Sequence, residues 1–245
     1  MIVFGLSRIL LHLLIGLWTC AVVFPLTDAA GRNWRIQHWS IKLLAICGIT
    51  VMVRHAGGAS EPARSVAVSN HVSWLDIFVI NTLQSRRFVA KSDIRSWPLL
   101  GWLAARAGTV FIARGRVRDV RRIFENLVQN IRDGDHVAFF PEGTTAAQGK
   151  LLPFHANLFE AAIDASVPIQ PMALRYLNAD GSLSEQANYI GDTSFAESML
   201  TILRSGPLQA ELILLPPIAS IGAHRRELAS AAHDAIANAL GQSQP

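Results

Sequence analysis

Charge is scarce in this chain. Asp, Glu, Lys and Arg make up 16% of 245 residues, hydrophobic residues 51%, and the mean hydropathy is +0.30. A freely soluble enzyme of this size carries more charge, so this composition implies apolar surface turned toward something other than water, a membrane first of all. Cysteine is scarcer still. Cys20 and Cys47 are the only two; both lie in apolar stretches, with no C-x-x-C and no Cys/His cluster. That pattern argues against a disulfide framework or a metal site and reads as packing in a reducing compartment. No G-x-S-x-G elbow is present and neither cysteine neighbours a His–Asp pair, so no acyl-enzyme is expected. Nucleic-acid motifs are missing and few aromatics interleave with the basic residues, which speaks against a nucleic-acid partner. With no internal repeat and no low-complexity linker, the length suits one large domain or two small ones.

The charge that exists is unevenly placed. The net charge is +4 and the pI about 9.6. Between Arg86 and Arg122 there are ten basic residues, nine of them Arg, against Asp93 and Asp119, a local net charge of +8. A solvated helix face accounts for such a stretch. So does contact with phosphate, for which the planar guanidinium is the better group.

From Ile9 to Thr27 no Asp, Glu, Lys or Arg occurs, and the run LLHLLIGLWTCAVVFPL is almost wholly apolar. About 20 apolar residues cross a bilayer as a helix, so its length is marginal. A second apolar helix is expected over Trp39–Val53, after a basic link with Arg32 and Arg35. The pair reads as a hairpin that spans the membrane or lies in one leaflet. A cleaved signal peptide and a buried hairpin are the other readings; Asp28 spoils the cleavage site. The flanking basic residues place the segment at the inner (plasma) membrane with the rest of the chain facing the cytoplasm. Residues 1–56 are therefore expected to form a membrane-associated helical segment, and 57–245 an α/β domain.

Beyond Ser65, short β-like runs alternate with helical ones. Strands are expected at Ser65–Ser69, Phe88–Lys91, Val110–Ala113, Val137–Phe140, Ile169–Tyr176 and Glu211–Leu215. Helices are expected at Trp74–Leu83, Pro98–Ala107, Arg118–Arg132, Ala156–Ala165, Phe195–Arg204 and Ala223–Leu240. This alternation predicts an α/β fold with a mixed, largely parallel sheet flanked by helices. Such sheets bind ligands at the carboxyl ends of their strands. Asn178–Asp192 is polar and reads as a surface excursion.

Four stretches carry candidate chemistry. In NHVSWLD, Asn70–Asp76, a His and an Asp five residues apart follow a strand; the imidazole suits proton abstraction from a hydroxyl, and the carboxylate orients it. The same residues also read as a capping box, Ser73 as N-cap and Asp76 three residues on. His155 and Glu160 repeat the spacing and are taken as a chance pair. In GTVFIAR, a strand delivers Arg114 to its carboxyl end, either to clamp a phosphate or to stand in solvent. In FFPEGTT, Gly143 allows close backbone approach and the threonine hydroxyls suit an anion, unless this is an ordinary turn. Glu142 there fits a partner for Arg114 or an acceptor of a substrate hydroxyl. VPIQP, Val167–Pro171, stiffens a strand start.

In this order the four stretches resemble the glycerolipid acyltransferase family typified by 1-acyl-sn-glycerol-3-phosphate acyltransferase, over roughly Ser65–Arg175. The resemblance implies transfer of a fatty acyl group from acyl-CoA or acyl carrier protein to the sn-2 hydroxyl of lysophosphatidic acid, without cofactor or metal. It makes His71 and Asp76 catalytic, and Arg114, Glu142, Gly143, Thr144 and Lys91 substrate-binding. Its partners are a lysophospholipid acceptor and the bilayer. One departure stands out: family members often carry a basic residue after the Pro-Phe that follows Glu-Gly-Thr, and this chain has Pro153-Phe154-His155. A different lysolipid, such as a lyso-ornithine lipid, is the neighbouring alternative; a non-catalytic module binding anionic membranes is the more distant one.

Overall fold

The computed structural model describes residues 2–112 and 117–242, with side chains from residue 121 onward in the second stretch. The first apolar run forms helix α1, Ile2–Trp18, and then loosens into a π turn over Thr19–Val23 and a 3-10 turn over Phe24–Leu26. Pro25 lacks the N–H that would continue the ladder. Ile2–Leu26 is long and apolar enough to cross a membrane, with a mean hydropathy of 2.2. Asp28 then caps α2, Ala29–Ile46, by accepting the Gly31 N–H at 2.8 Å. His12 and Trp39 clip the two helices together. Their rings stack at 4.4 Å, His12 Nε2 lies 3.0 Å from the Trp39 carbonyl, and Trp39 Nε1 donates to the His12 carbonyl at 3.1 Å.

The expected second apolar helix over Trp39–Val53 is not what forms. Cys47 ends α2, Gly48 turns the chain at φ +73°, and Ile49–His55 becomes strand β1. Glycine just past a helix end takes this left-handed conformation without Cβ strain, and the β-branched run that follows alternates buried and open positions as an edge strand does. Residues 49–55 therefore belong to the sheet.

The remaining elements are β2 (Val66–Ser69), α3 (Asp76–Asn81), β3 (Arg87–Lys91), α4 (Leu100–Arg106), β4 (Val110–Ile112), α5 (Val117–Arg132), β5 (Val137–Phe139), α6 (Glu160–Ala165), β6 (Ile169–Leu177), α7 (Phe195–Arg204), β7 (Leu208–Leu214) and α8 (Arg225–Ala239). They fall within a few residues of the expected bounds. The seven strands form one sheet in the order β1-β7-β6-β2-β5-β3-β4. All neighbouring pairs are parallel except β6 and β7.

Alternation along the strands divides the core. Ala67 and Ala138 face a layer built with Ile9, Leu43, Leu44, Val79 and Ile202 from α1, α2, α3 and α7. Val66, Val68, Val137 and Phe139 face Leu127, Ile131, Ala162, Leu228 and Ala232 from α5, α6 and α8. Each fully buried large aliphatic side chain contributes about 1.5–3 kcal/mol. With both faces covered, the carboxyl edge of the parallel strands is where polar groups can meet a ligand.

Candidate active site

β2 ends at Ser69, and Asn70 carries its direction one residue further. The Asn70 amide acts as a surrogate peptide for β6: Oδ1 accepts the Leu174 N–H and Nδ2 donates to the Leu174 carbonyl, both at 2.8 Å. This fixes the backbone at His71. The chain then folds back into α3, which brings Asp76 under the imidazole.

The Asp76 carboxylate is fully buried, and its four donors compensate the cost of taking it out of water. Oδ2 accepts from His71 Nδ1 at 2.8 Å, from the Val72 N–H at 2.7 Å and from the Ser73 N–H at 3.0 Å. Oδ1 accepts from the Tyr176 hydroxyl at 2.7 Å. Because Oδ2 is an acceptor, Nδ1 must carry the proton, and the lone pair is left on Nε2. Burial first, and the Asp76 charge second, pushes the Tyr176 phenol well above its usual range, so it stays a donor. Half of the expected capping box forms: Asp76 takes the Ser73 N–H, while the buried Ser73 hydroxyl closes no bond among the described residues.

The other wall comes from β5. Phe140 stacks flat under the His71 ring at 3.8 Å and 7°. Glu142 is 4% exposed, and both its oxygens are occupied: Oε1 accepts the His71 N–H at 2.7 Å, Oε2 the Leu152 N–H at 2.8 Å. It holds the two loops together from below instead of facing a substrate. Burial pushes its carboxyl up to about 6, with the Leu152 and His71 amides pulling the other way. A further strut is the Ala146 N–H, which donates to the His71 carbonyl at 2.7 Å. The polar excursion after β6 folds back here as well: the Tyr189 N–H donates to the Val72 carbonyl at 3.0 Å, and Thr145 Oγ1 to the Tyr189 carbonyl.

Gly143, at φ +68°, and Thr144 are exposed at the lip of this loop. A Cβ at Gly143 would meet His155 Cδ2 at 3.3 Å, so His155 stands beside the Glu-Gly-Thr turn. Lys91 is exposed at the carboxyl end of β3, on the same edge of the sheet as His71. Arg114 lies outside the described residues; β4 before it ends at Ile112 on that edge. The basic stretch is not one surface. Arg86 is buried, paired with Glu61, and lowered to about 10 by burial, and Arg87 pairs with Asp135 at 2.8 Å. Arg95 and Arg106 are exposed. Both cysteines are buried and unpaired.

Sequence reasoning missed Tyr176 and Phe140 as parts of this site. Nothing marks a tyrosine 100 residues after Asp76 as its partner; only the parallel pairing of β6 with β2 brings them together.

A cavity of about 500 Å³ has His71 in its wall and runs between the sheet and the N-terminal helices. Ile77, Phe78, Phe88 and Leu103 line its length, and Thr19, Cys20 and Phe24 close it on the α1 side. It is overwhelmingly apolar, and its size fits ligand sites of about 300–1,000 Å³. An imidazole whose second nitrogen has no partner among the described residues, held by a buried carboxylate in the wall of an apolar cavity, can deprotonate a hydroxyl on an amphiphile.

Comparison with known proteins agrees with this geometry. The family model "Acyltransferase" matches residues 52–175. A lyso-ornithine lipid O-acyltransferase of Pseudomonas aeruginosa is 36% identical over 216 residues, spanning 88% of this chain and 82% of its own length. A 1-acyl-sn-glycerol-3-phosphate acyltransferase of Neisseria gonorrhoeae is 41% identical over 129 residues, 53% of this chain and 51% of its own. In three dimensions, the crystal structure of the 1-acyl-sn-glycerophosphate acyltransferase PlsC from Thermotoga maritima superposes with a TM-score of 0.67 over 97% of each chain, at 18% identity, which shows the shared fold. The chain belongs to the acyltransferase family.

Proposed function

We propose that this acyltransferase acylates the free sn-2 hydroxyl of lysophosphatidic acid at a membrane surface, with acyl-CoA or acyl carrier protein as donor and no cofactor. The observation that carries the reading is the His71–Asp76 pair, with His71 in the wall of the apolar cavity. His71 Nε2 removes the proton of the acceptor hydroxyl as its oxygen attacks the thioester carbonyl. The new C–O bond forms, the C–S bond breaks, and the proton on His71 passes to the departing thiolate. Asp76 stabilises the imidazolium formed on the way. The cavity gives an acyl chain a dry place beside His71. Arg114, Lys91, Gly143 and Thr144 hold the acceptor phosphate, and Glu142 braces the loop that carries Gly143 and Thr144. The apolar helix Ile2–Leu26 keeps the site at the inner membrane, facing the cytoplasm, where both acyl chains can remain in hydrocarbon.

A second acceptor, a lyso-ornithine lipid, is favoured by two observations. The Pseudomonas aeruginosa relative bears that name and matches most of this chain. His155 beside Gly143 also stands where family members often carry a fixed positive charge. Purified protein in vesicles, given labelled acyl thioester and a panel of lysolipids, separates the two. Lysophosphatidic acid is expected to be the preferred acceptor; preference for the lyso-ornithine lipid transfers the assignment. His71→Ala is expected to abolish transfer to every acceptor while leaving fold and vesicle binding intact, and retained turnover removes His71 from the reaction.

A further inference from the structure

The turn before α4 contains backbone strain. Leu99 has φ +60° and ψ −51°, and the Leu100 N–H closes on the Pro98 carbonyl at 2.6 Å. This is a γ-turn with positive φ at its centre, a rare and strained form that a branched side chain disfavours. Glycine would relieve it. The residue is leucine instead, and it is 63% exposed. Trp97 and Trp102 flank it, 39% and 37% exposed. The turn is held rigidly: a Cβ at Gly101 would lie 2.4 Å from the Arg95 carbonyl oxygen, so only glycine lets α4 start this close to the preceding 3-10 turn. The strain is therefore fixed, and it presents apolar groups to the outside.

Two further observations say what lies outside. The patch adjoins the apolar N-terminal segment across the cavity. Leu100, Leu103 and Ala104 share a cavity with Thr19, Cys20 and Phe24, and Arg106 lies within electrostatic reach of Cys20. The patch is also rimmed by positive charge. Arg106 lies over the Trp102 ring at 5.2 Å and Arg95 over Phe111 at 5.9 Å, both arginines exposed. Tryptophans beside arginines, with an aliphatic tip between them, match the headgroup layer of an anionic leaflet.

We propose that Trp97–Arg106 is a second bilayer-contacting element, which inserts Leu99 and Trp102 into an anionic phospholipid leaflet beside α1. It rests on the reading of the site as one that takes lipid substrates. The cavity, walled by α4 on one side and α1 on the other, then opens toward that leaflet, so that an acyl chain passes to His71 without crossing water.

The test places a polarity-sensitive fluorophore on Leu99→Cys in the full chain; Cys20 and Cys47 are 7% and 3% exposed and do not compete for label. The control position is Ile221→Cys, 79% exposed before α8 on the opposite face of the sheet. With vesicles of phosphatidylcholine and phosphatidylglycerol, emission from position 99 is expected to shift to the blue and to be quenched by a nitroxide-labelled lipid, with neither change at position 221. Emission from position 99 that stays that of water on vesicle-bound protein overturns the proposal. So does a shift that needs no vesicles and grows with protein concentration, because a second copy of the chain then covers the patch. Both readouts are independent of turnover, so failure of the acyl-transfer reading is distinguishable from failure of this one. Leu99→Gly completes the test. Transfer to an acceptor embedded in vesicles is expected to fall by about tenfold, as loss of one inserted aliphatic side chain implies, while transfer to a short-chain acceptor dispersed in water is unchanged. An equal loss with both acceptors contradicts it.

Discussion

Asp76 accepts four hydrogen bonds inside the protein, and only one comes from His71. The two backbone donors fix where the carboxylate sits; the Tyr176 hydroxyl fixes how it is turned. Tyr176→Phe leaves Oδ1 buried without its donor, so a loss of about 1–2 kcal/mol in unfolding free energy is expected. The same change lets the carboxylate rotate away from the imidazole. We expect kcat to fall about tenfold with the acceptor KM unchanged, the pattern of a group that acts in the transition state alone. Steady-state kinetics and denaturant titration on one preparation check both parts. Of this constellation the sequence disclosed His71 and Asp76, because their spacing, the strand before them and the helix after them are local. Tyr176 and Phe140 stayed hidden because they arrive from β6 and the end of β5, and pairing across a sheet leaves no mark on the chain. Arg86 misled in the opposite way. It counts as surface charge in the sequence, yet it is an interior cation beside Glu61.

Elements were legible where their periodicity was clean, and α7 and every strand from β2 to β7 lie close to their expected positions. The failure at β1 has a local cause. The apolar run after Trp39 continues through Gly48 and so resembles one helix, although a glycine past the last helical turn followed by Ile-Thr-Val-Met-Val is a stop signal and then a strand. Loops carry the next level of the account, and Glu142 is the bolt between two of them. Its carboxyl is raised from 4.5 to about 6 by burial. The native state then holds its proton more tightly than the unfolded chain does, so stability falls as pH rises from about 4.5 to 6 and is level above that window. The change amounts to roughly 2 kcal/mol. Glu142→Gln is expected to erase this slope and to lower transfer, because one of the two amide partners, at His71 or Leu152, loses its acceptor. Unfolding measured across pH 4 to 7 in wild type and variant checks the sign; a stability that rises over that window contradicts it.

At the scale of the whole molecule, the sheet does more than carry loops. Its one face, with α1, α2, α3 and α7 laid over it, encloses the apolar cavity that His71 lines. The opposite face is closed by α5, α6 and α8. The sequence disclosed an apolar beginning and an α/β remainder. It did not disclose that the two share a cavity, since that depends on how α2 and α4 sit against the sheet. If acyl chains occupy this space, filling it discriminates by length. Ala104→Phe, on the cavity wall contributed by α4, is expected to depress transfer from long acyl thioesters while sparing short ones, each excluded methylene forfeiting about 0.8 kcal/mol. A uniform loss across chain lengths places the acyl chain elsewhere.

All of this depends on one imidazole held in place by one carboxylate. The most direct measurement is the acyl-transfer rate of wild type, Asp76→Asn, His71→Ala and the double variant on a single acceptor. Asp76→Asn is expected to lower kcat by roughly 10³–10⁴-fold, and the double variant to be no slower than His71→Ala alone, because Asp76 acts only through His71. Losses that multiply, or a His71→Ala variant that still turns over near the wild-type rate, would contradict the account.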